Sequence, residues 1–135
     1  MEDQKNRLCD ISTPALAYLG DSVLELLVRQ ALVESGISSS KKLNEKALYF
    51  VSAPAQAVAV KKVIDLLTEE EAAYFKRGRN IGHPNTPKRS SVGEYRMATG
   101  FETLFGYLKL TGNDTRAAEL FSIAYAAELE NLKNN

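Results

Sequence analysis

The sequence predicts an all-α protein, a helical bundle. Helix start and stop signals punctuate the whole chain, apolar residues recur at spacings of three and four, and strand-like alternation is absent. Ser12 or Thr13 caps the first helix, with Pro14 in its first turn, where a missing N–H costs nothing. Leu16, Leu19, Val23, Leu27 and Ala31 follow at helical spacing, and Gly36 stops the helix. Polar residues are so few on any of its faces that this helix is expected to be central and buried. Ser40 begins a second helix through about Val51, and Ser52 with Pro54 opens a third that ends near Leu67. Thr68 and Glu71 form a capping box for a fourth, which runs to about Gly78. Residues 79–92 contain Gly82-His83-Pro84 and Thr86-Pro87 and read as an exposed loop. A fifth helix runs from Glu94 to about Leu110 and is ended by Gly112-Asn113. Asp114 or Thr115 caps a last helix that reaches nearly to the C-terminus.

A length of 135 residues fits one domain over residues 1–135. Hydrophobic residues at 44% and charged residues at 25% match ordinary globular proteins. No apolar run is long enough to span a bilayer, so no membrane association is expected. Residues 1–10 are polar and charged, unlike a signal peptide. Cys9 is the only cysteine, which excludes an internal disulfide and a thiolate metal cluster. A reducing, cytoplasmic setting follows as the expectation. The formal net charge of +0 argues against nucleic-acid binding unless the basic residues are gathered locally.

Asp21 interrupts the apolar first helix directly after Gly20. Charged residues are rarely buried without a partner. Glycine in a helix interior costs roughly 1 kcal/mol against alanine, so something large is expected to approach the backbone there. Glu25 lies one turn further on, and a salt bridge from Asp21 or Glu25 to Arg29 is an alternative to any chemistry. The fifth helix repeats the pattern. Glu102 lies among Ala98, Phe101, Leu104, Phe105 and Leu108, flanked by Gly100 and Gly106. Two such helices could pack and bring Asp21 and Glu102 together, each facing inward. Two close carboxylates repel unless a cation sits between them. Two carboxylates completed by phosphate oxygens and water are a usual way to hold magnesium. His83 is the only histidine, so zinc does not fit.

Leu19-Gly20-Asp21-Ser22-Val23-Leu24-Glu25-Leu26 resembles the signature helix of the ribonuclease III family. Thr99-Gly100-Phe101-Glu102-Thr103-Leu104-Phe105-Gly106 resembles that family's second catalytic helix. The short length, Arg77-Gly78-Arg79-Asn80 and Tyr95-Arg96-Met97-Ala98 resemble its Mini-ribonuclease III branch, which consists of the catalytic domain alone. The resemblance implies a ribonuclease III-type endonuclease domain over residues 1–135, with Asp21 and Glu102 as catalytic residues and Mg2+ ligands. Ala17 and Thr99 stand where longer members carry further acids, which favours one firmly held metal. The implied reaction is hydrolysis of phosphodiester bonds in double-stranded RNA by a homodimer, leaving 5′-phosphates and 3′-hydroxyls. The implied substrate is the precursor of 23S ribosomal RNA, with a large-subunit ribosomal protein or pre-50S particle as partner. A non-catalytic module of the same fold, binding RNA or the ribosome, is the alternative.

The neutral total conceals a basic segment. Lys76, Arg77, Arg79, Lys88, Arg89 and Arg96 crowd the end of the fourth helix, the loop and the start of the fifth, with Glu94 as the only acid in that span. These residues and Asn80 are the expected RNA contacts, since phosphates dominate nucleic-acid affinity and A-form RNA is read by shape. A solvated surface loop is the alternative reading of the same charges. His83 and Cys9 are assigned no role.

Overall fold

A computed structural model describes Leu8, residues 10–81 and residues 91–134. Lys88, Arg89, His83 and Cys9 lie outside the described residues. The described elements are helices α1 (Thr13–Glu34), α2 (Ser40–Val51), α3 (Ala53–Lys61), α4 (Glu69–Arg79), α5 (Val92–Leu110), α6 (Asp114–Ala124) and α7 (Ala126–Lys133). A single 3-10 turn, Ile64–Leu66, links α3 to α4. The fold is all-α, as expected, and no helix among the described residues is long and apolar enough to cross a membrane.

The caps explain most helix starts. Ser12, Ser39 and Ser52 each accept a backbone N–H three residues ahead. Thr68 and Glu71 make the expected capping box. Ser91 and Glu94 make a second one, which moves the start of α5 two residues ahead of the expected Glu94. The turns after α1 and α5 each need a positive φ, supplied by Gly36 (95°) and Gly112 (73°). Glu69, Glu70 and Glu71 open α4, and Lys76, Arg77 and Arg79 close it, so its charges oppose the helix dipole at both ends.

Three boundaries differ from the sequence reading. α3 ends at Lys61 rather than near Leu67, where the consecutive β-branched residues Val63 and Ile64 give way to the 3-10 turn. The last helix is two helices, broken at Tyr125. There the Tyr125 hydroxyl donates to the Phe50 carbonyl at 2.7 Å, and its ring packs against Phe50 and Phe121, each at 5.1 Å between centroids. Those tertiary ties override the local helical pattern. α6 starts after Asn113 without any side-chain cap, so neither Asp114 nor Thr115 caps it.

The central element is α5, not α1. Every residue from Ala98 to Leu108 except Glu102 is buried, and α1, α4 and α3 pack around it. α1 buries a single stripe, Leu16, Gly20, Leu24, Val28 and Leu32, at intervals of four. Val23, Leu27 and Ala31 are partly buried against the core, while Tyr18, Leu26 and Val33 face outward, with Tyr18 83% and Leu26 67% exposed.

α1 and α5 cross backbone to backbone. A β-carbon on Gly20 would overlap the carbonyl oxygen of Glu102 and lie 2.8 Å from the Gly106 nitrogen. A β-carbon on Gly106 would overlap the Leu16 carbonyl oxygen. α4 meets α5 in the same way: a β-carbon on Gly78 would lie 2.8 Å from Gly100 Cα, and one on Gly100 would lie 2.8 Å from Phe75. The large object expected beside Gly20 is therefore the other helix. Alanine in place of Gly100 or Gly106 would collide with these neighbours.

Gly106→Ala should destabilise the protein by about 1–3 kcal/mol or more, because overpacking meets backbone rather than a mobile side chain. Thermal unfolding of the variant beside the native protein measures this, and an unchanged melting temperature would refute the tight crossing.

Candidate active site

The helix crossing at Gly20 sets the next residue, Asp21, beside Glu102. A cavity of about 400 Å³ opens there. α1 contributes Pro14, Ala17, Tyr18 and Asp21, and α5 contributes Tyr95, Thr99 and Glu102. Ile81, just beyond α4, closes the remaining side. Asp21 is exposed and Glu102 is half-buried, so Asp21 stands on the rim rather than facing the core as the sequence suggested. The reason is register: the buried stripe passes through Gly20 and Leu24 and leaves Asp21 to one side.

Burial pushes the Glu102 carboxyl up to about 8, and the charge of Asp21 and a hydrogen bond with it push in the same direction. Among the described residues no cation pairs with either acid. The salt bridge considered for the first helix forms at Glu25 instead, which accepts from Arg29 Nε at 3.1 Å. Ala17 and Thr99, the two positions where the resemblance marks a missing acid, both line the cavity. Thr99 donates its hydroxyl to the Tyr95 carbonyl at 2.9 Å. No group of three or more His, Cys, Asp or Glu side chains occurs among the described residues, so any metal here would rest on two carboxylates. Two acids, one of them driven toward its neutral form by the other, on an open cavity fit a magnesium ion that completes its shell with water and substrate oxygens.

The expected RNA contacts are placed unequally. Lys76 and Arg96 are exposed and have no ion-pair partner among the described residues. Asn80 is exposed and accepts from Arg79 Nε at 3.3 Å, while the Arg79 guanidinium lies 5.8 Å from the Phe75 ring centroid. Arg77 is half-buried and turned inward onto Thr13 and Ile11. Tyr18 and Tyr95, whose helical positions suggest core or interface packing and no chemistry, both line the cavity. Their spacing from the acids was the available signal: Tyr18 precedes Asp21 by three residues, and Tyr95 precedes Glu102 by seven, each on the same helix face.

In this all-α domain two glycine-bearing helices bring two acids together at one open cavity. The chain belongs to the ribonuclease III family, whose ribonuclease III domain matches residues 14–113. Within that family it is similar to the Mini-ribonuclease 3 of Clostridium tetani, at 37% identity over 98% of this chain and 89% of that protein. The Mini-ribonuclease 3 of Enterococcus faecalis is 43% identical over 80% of this chain and 83% of its own length. A crystal structure of a Fusobacterium nucleatum protein superposes with a TM-score of 0.81 at 30% identity, covering 89% of this chain and 92% of the other.

The raised Glu102 carboxyl has a consequence for stability. Its folded value of about 8 lies above its ordinary value of 4.5, so the folded chain holds the proton more tightly than the unfolded one. The resulting stabilisation is complete below about pH 4.5 and is lost as pH rises through 8. Without divalent metal, Glu102→Gln should therefore gain on the native protein between pH 5 and pH 8.5. Each pKa unit of difference is worth about 1.4 kcal/mol at most. Urea unfolding of both proteins across that range checks this; parallel profiles would mean that Glu102 ionises freely.

Proposed function

We propose that the protein is a magnesium-dependent endoribonuclease that hydrolyses phosphodiester bonds in double-stranded RNA. Endoribonuclease activity accords with the family and with the Mini-ribonuclease 3 relatives. The observation that carries the reading is the contact of Asp21 with Glu102 on an open cavity, with no cation beside them among the described residues. Asp21 and Glu102 would hold Mg2+, which when bound polarises the scissile phosphate and lowers the pKa of the attacking water. Glu102, raised to about 8, must give up its proton to do so. Water adds to phosphorus, the bond to the 3′-oxygen breaks, and a 5′-phosphate and a 3′-hydroxyl remain. Lys76, Arg79 and Asn80 lie on the stretch that leads to Ile81, Arg96 follows Tyr95, and all four suit phosphate contact; Lys88 and Arg89 extend the same basic segment in sequence. Residues 1–135 are read as one catalytic domain working in the cytoplasm. The precursor of 23S ribosomal RNA, met with a ribosomal protein or on a pre-50S particle, is the substrate that the family resemblance favours. The absence of acids at Ala17 and Thr99 favours a second reading, a non-catalytic RNA-binding module.

Asp21→Asn and Glu102→Gln separate the two. Each should abolish cleavage of a long RNA duplex in magnesium while circular dichroism stays native. Cleavage near the native rate by either variant would remove the assigned site. Product carrying 5′-phosphate in the native digest identifies the reaction.

A duplex presents two antiparallel strands, and one chain supplies one acidic cavity, so a two-fold dimer would match the substrate's symmetry. The outward apolar face of α1 offers the surface. Leu26 and Val33 on α1 and Leu48 and Tyr49 on α2 are all more than 60% exposed. Val33 and Leu48 line a groove of about 640 Å³, together with Leu32, Leu43, Ala47 and Val51. The occupant is read as a second copy of this chain. Sedimentation equilibrium should give a dimer at micromolar concentration, and Leu26→Glu should shift it to monomer without loss of helix. A monomeric native protein would exclude this assembly.

A further inference from the structure

Three helices wall the acidic cavity, and they are joined in different ways. α1 and α5 touch backbone to backbone at Gly20 and Gly106, and α4 and α5 do so at Gly78 and Gly100. α1 and α4 barely touch, and among the described residues the hydrogen bonds between these two parts of the chain come from Arg77. Arg77 Nε donates to Thr13 Oγ1 at 3.2 Å, and Nη2 donates to Thr13 Oγ1 at 3.0 Å and to the Ile11 carbonyl at 3.3 Å. The guanidinium lies 4.9 Å from the Tyr74 ring centroid, and Tyr74 stacks on Tyr107 at 4.2 Å. The Tyr107 hydroxyl in turn donates to Glu70 Oε2 at 2.9 Å. Arg77 is thus braced from behind by α4 and α5 and holds the first turn of α1 in front.

The glycine crossing fixes how closely α1 approaches α5. It holds α1 at Leu16 and at Gly20, so only the first turn, with Thr13 and Pro14, lies beyond it. Pro14, Ala17 and Tyr18 form much of the α1 wall, and Ile81 lines the same cavity from beyond α4. The grip of Arg77 on Thr13 therefore sets the separation of the two walls. The fork is spent on a hydroxyl and a carbonyl of the chain itself. Lysine would keep the charge and lose that geometry.

We propose that Arg77 is a positioning residue of the nuclease site: by fastening the first turn of α1 to the end of α4, it sets the width of the cavity between Pro14 and Ile81 and the tilt of the helix that carries Asp21. The proposal rests on the reading of this cavity as the nuclease site, and it gives Arg77 a different task from the phosphate contact suggested by its place in the basic segment.

Thr13→Val removes the acceptor hydroxyl and leaves Arg77 charged, and Arg77→Lys keeps the charge and removes the fork. Both variants and their combination are compared with the native protein in three assays, with helix content monitored by circular dichroism. The assays are duplex cleavage in magnesium, duplex affinity across salt concentrations in calcium, and manganese affinity without RNA. The expected result is a fall in kcat of about ten-fold or more in each single variant, as small misplacements at a reacting centre produce. The double variant should be no worse than the weaker single one. Manganese affinity should fall in both, while duplex affinity and its salt slope stay native. The Lys76→Ala, Arg96→Ala double variant gives the contrast, flattening the slope of log affinity on log salt by about 0.7 to 0.9 per lost contact. Native kcat and native manganese affinity in Thr13→Val overturn the proposal, because a phosphate-contacting Arg77 would not notice that change. A native protein that leaves duplex RNA uncut defeats the functional reading instead, and manganese affinity in the same variants still decides the role of Arg77.

Discussion

The contact between the backbone of α1 and the backbone of α5 is the constraint from which the rest of the molecule follows. Gly20 lies against the carbonyl of Glu102, and Gly106 lies against the carbonyl of Leu16. Only hydrogen in place of a side chain lets the axes come this close. Because Gly20 directly precedes Asp21, the residue that permits the approach is covalently joined to one acid and packed on the main chain of the other. The distance between the acids is thereby tied to the least compressible contact in the core. α4 is drawn in by the same device at Gly78 and Gly100, which carries Ile81 to the edge of the same cavity.

Such a site works against the stability of its own fold. A carboxyl held half-buried beside another carboxyl prefers its neutral form, and the fold must bear that cost whenever the pair ionises. An ion that relieved the repulsion would be a ligand for the folded state alone, and its binding would add to stability. The contrast with Glu71 is instructive. Burial raises that carboxyl too, but Arg116 at 2.9 Å and the Thr68 backbone N–H hold it below its ordinary value. The chain gives Glu71 a cation, and among the described residues it gives Glu102 none.

The sequence carries local information well and distances poorly. Caps at Ser12, Ser39, Ser52 and Thr68 and the stops at Gly36 and Gly112 are decided within a few residues, so helix number and order were nearly legible. The second capping box, Ser91 to Glu94, was equally local and could have been read. The break at Tyr125 could not, because its cause lies on the α2–α3 junction. Pairing of Asp21 with Glu102 was legible from two matching helices. Which of those helices is central was not: apolar residues on several faces of α1 serve burial on one side and an exposed surface on the other. Arg77 shows the same limit, since nothing in a run of basic residues tells which one turns inward.

α4 begins with three glutamates and ends with two arginines and a lysine. For the helix this arrangement opposes its own dipole, and for the whole protein it means that a sum of zero is not an absence of field. Charge separated over the length of one helix gives the molecule a direction. In the potential of a polyanion, such a body is turned before it is bound, basic end inward, so that encounters are sorted by orientation rather than by strength of attraction. A uniformly cationic nuclease would adhere to any RNA in any pose. A neutral, polarised one would leave most collisions quickly and arrive with its basic end leading.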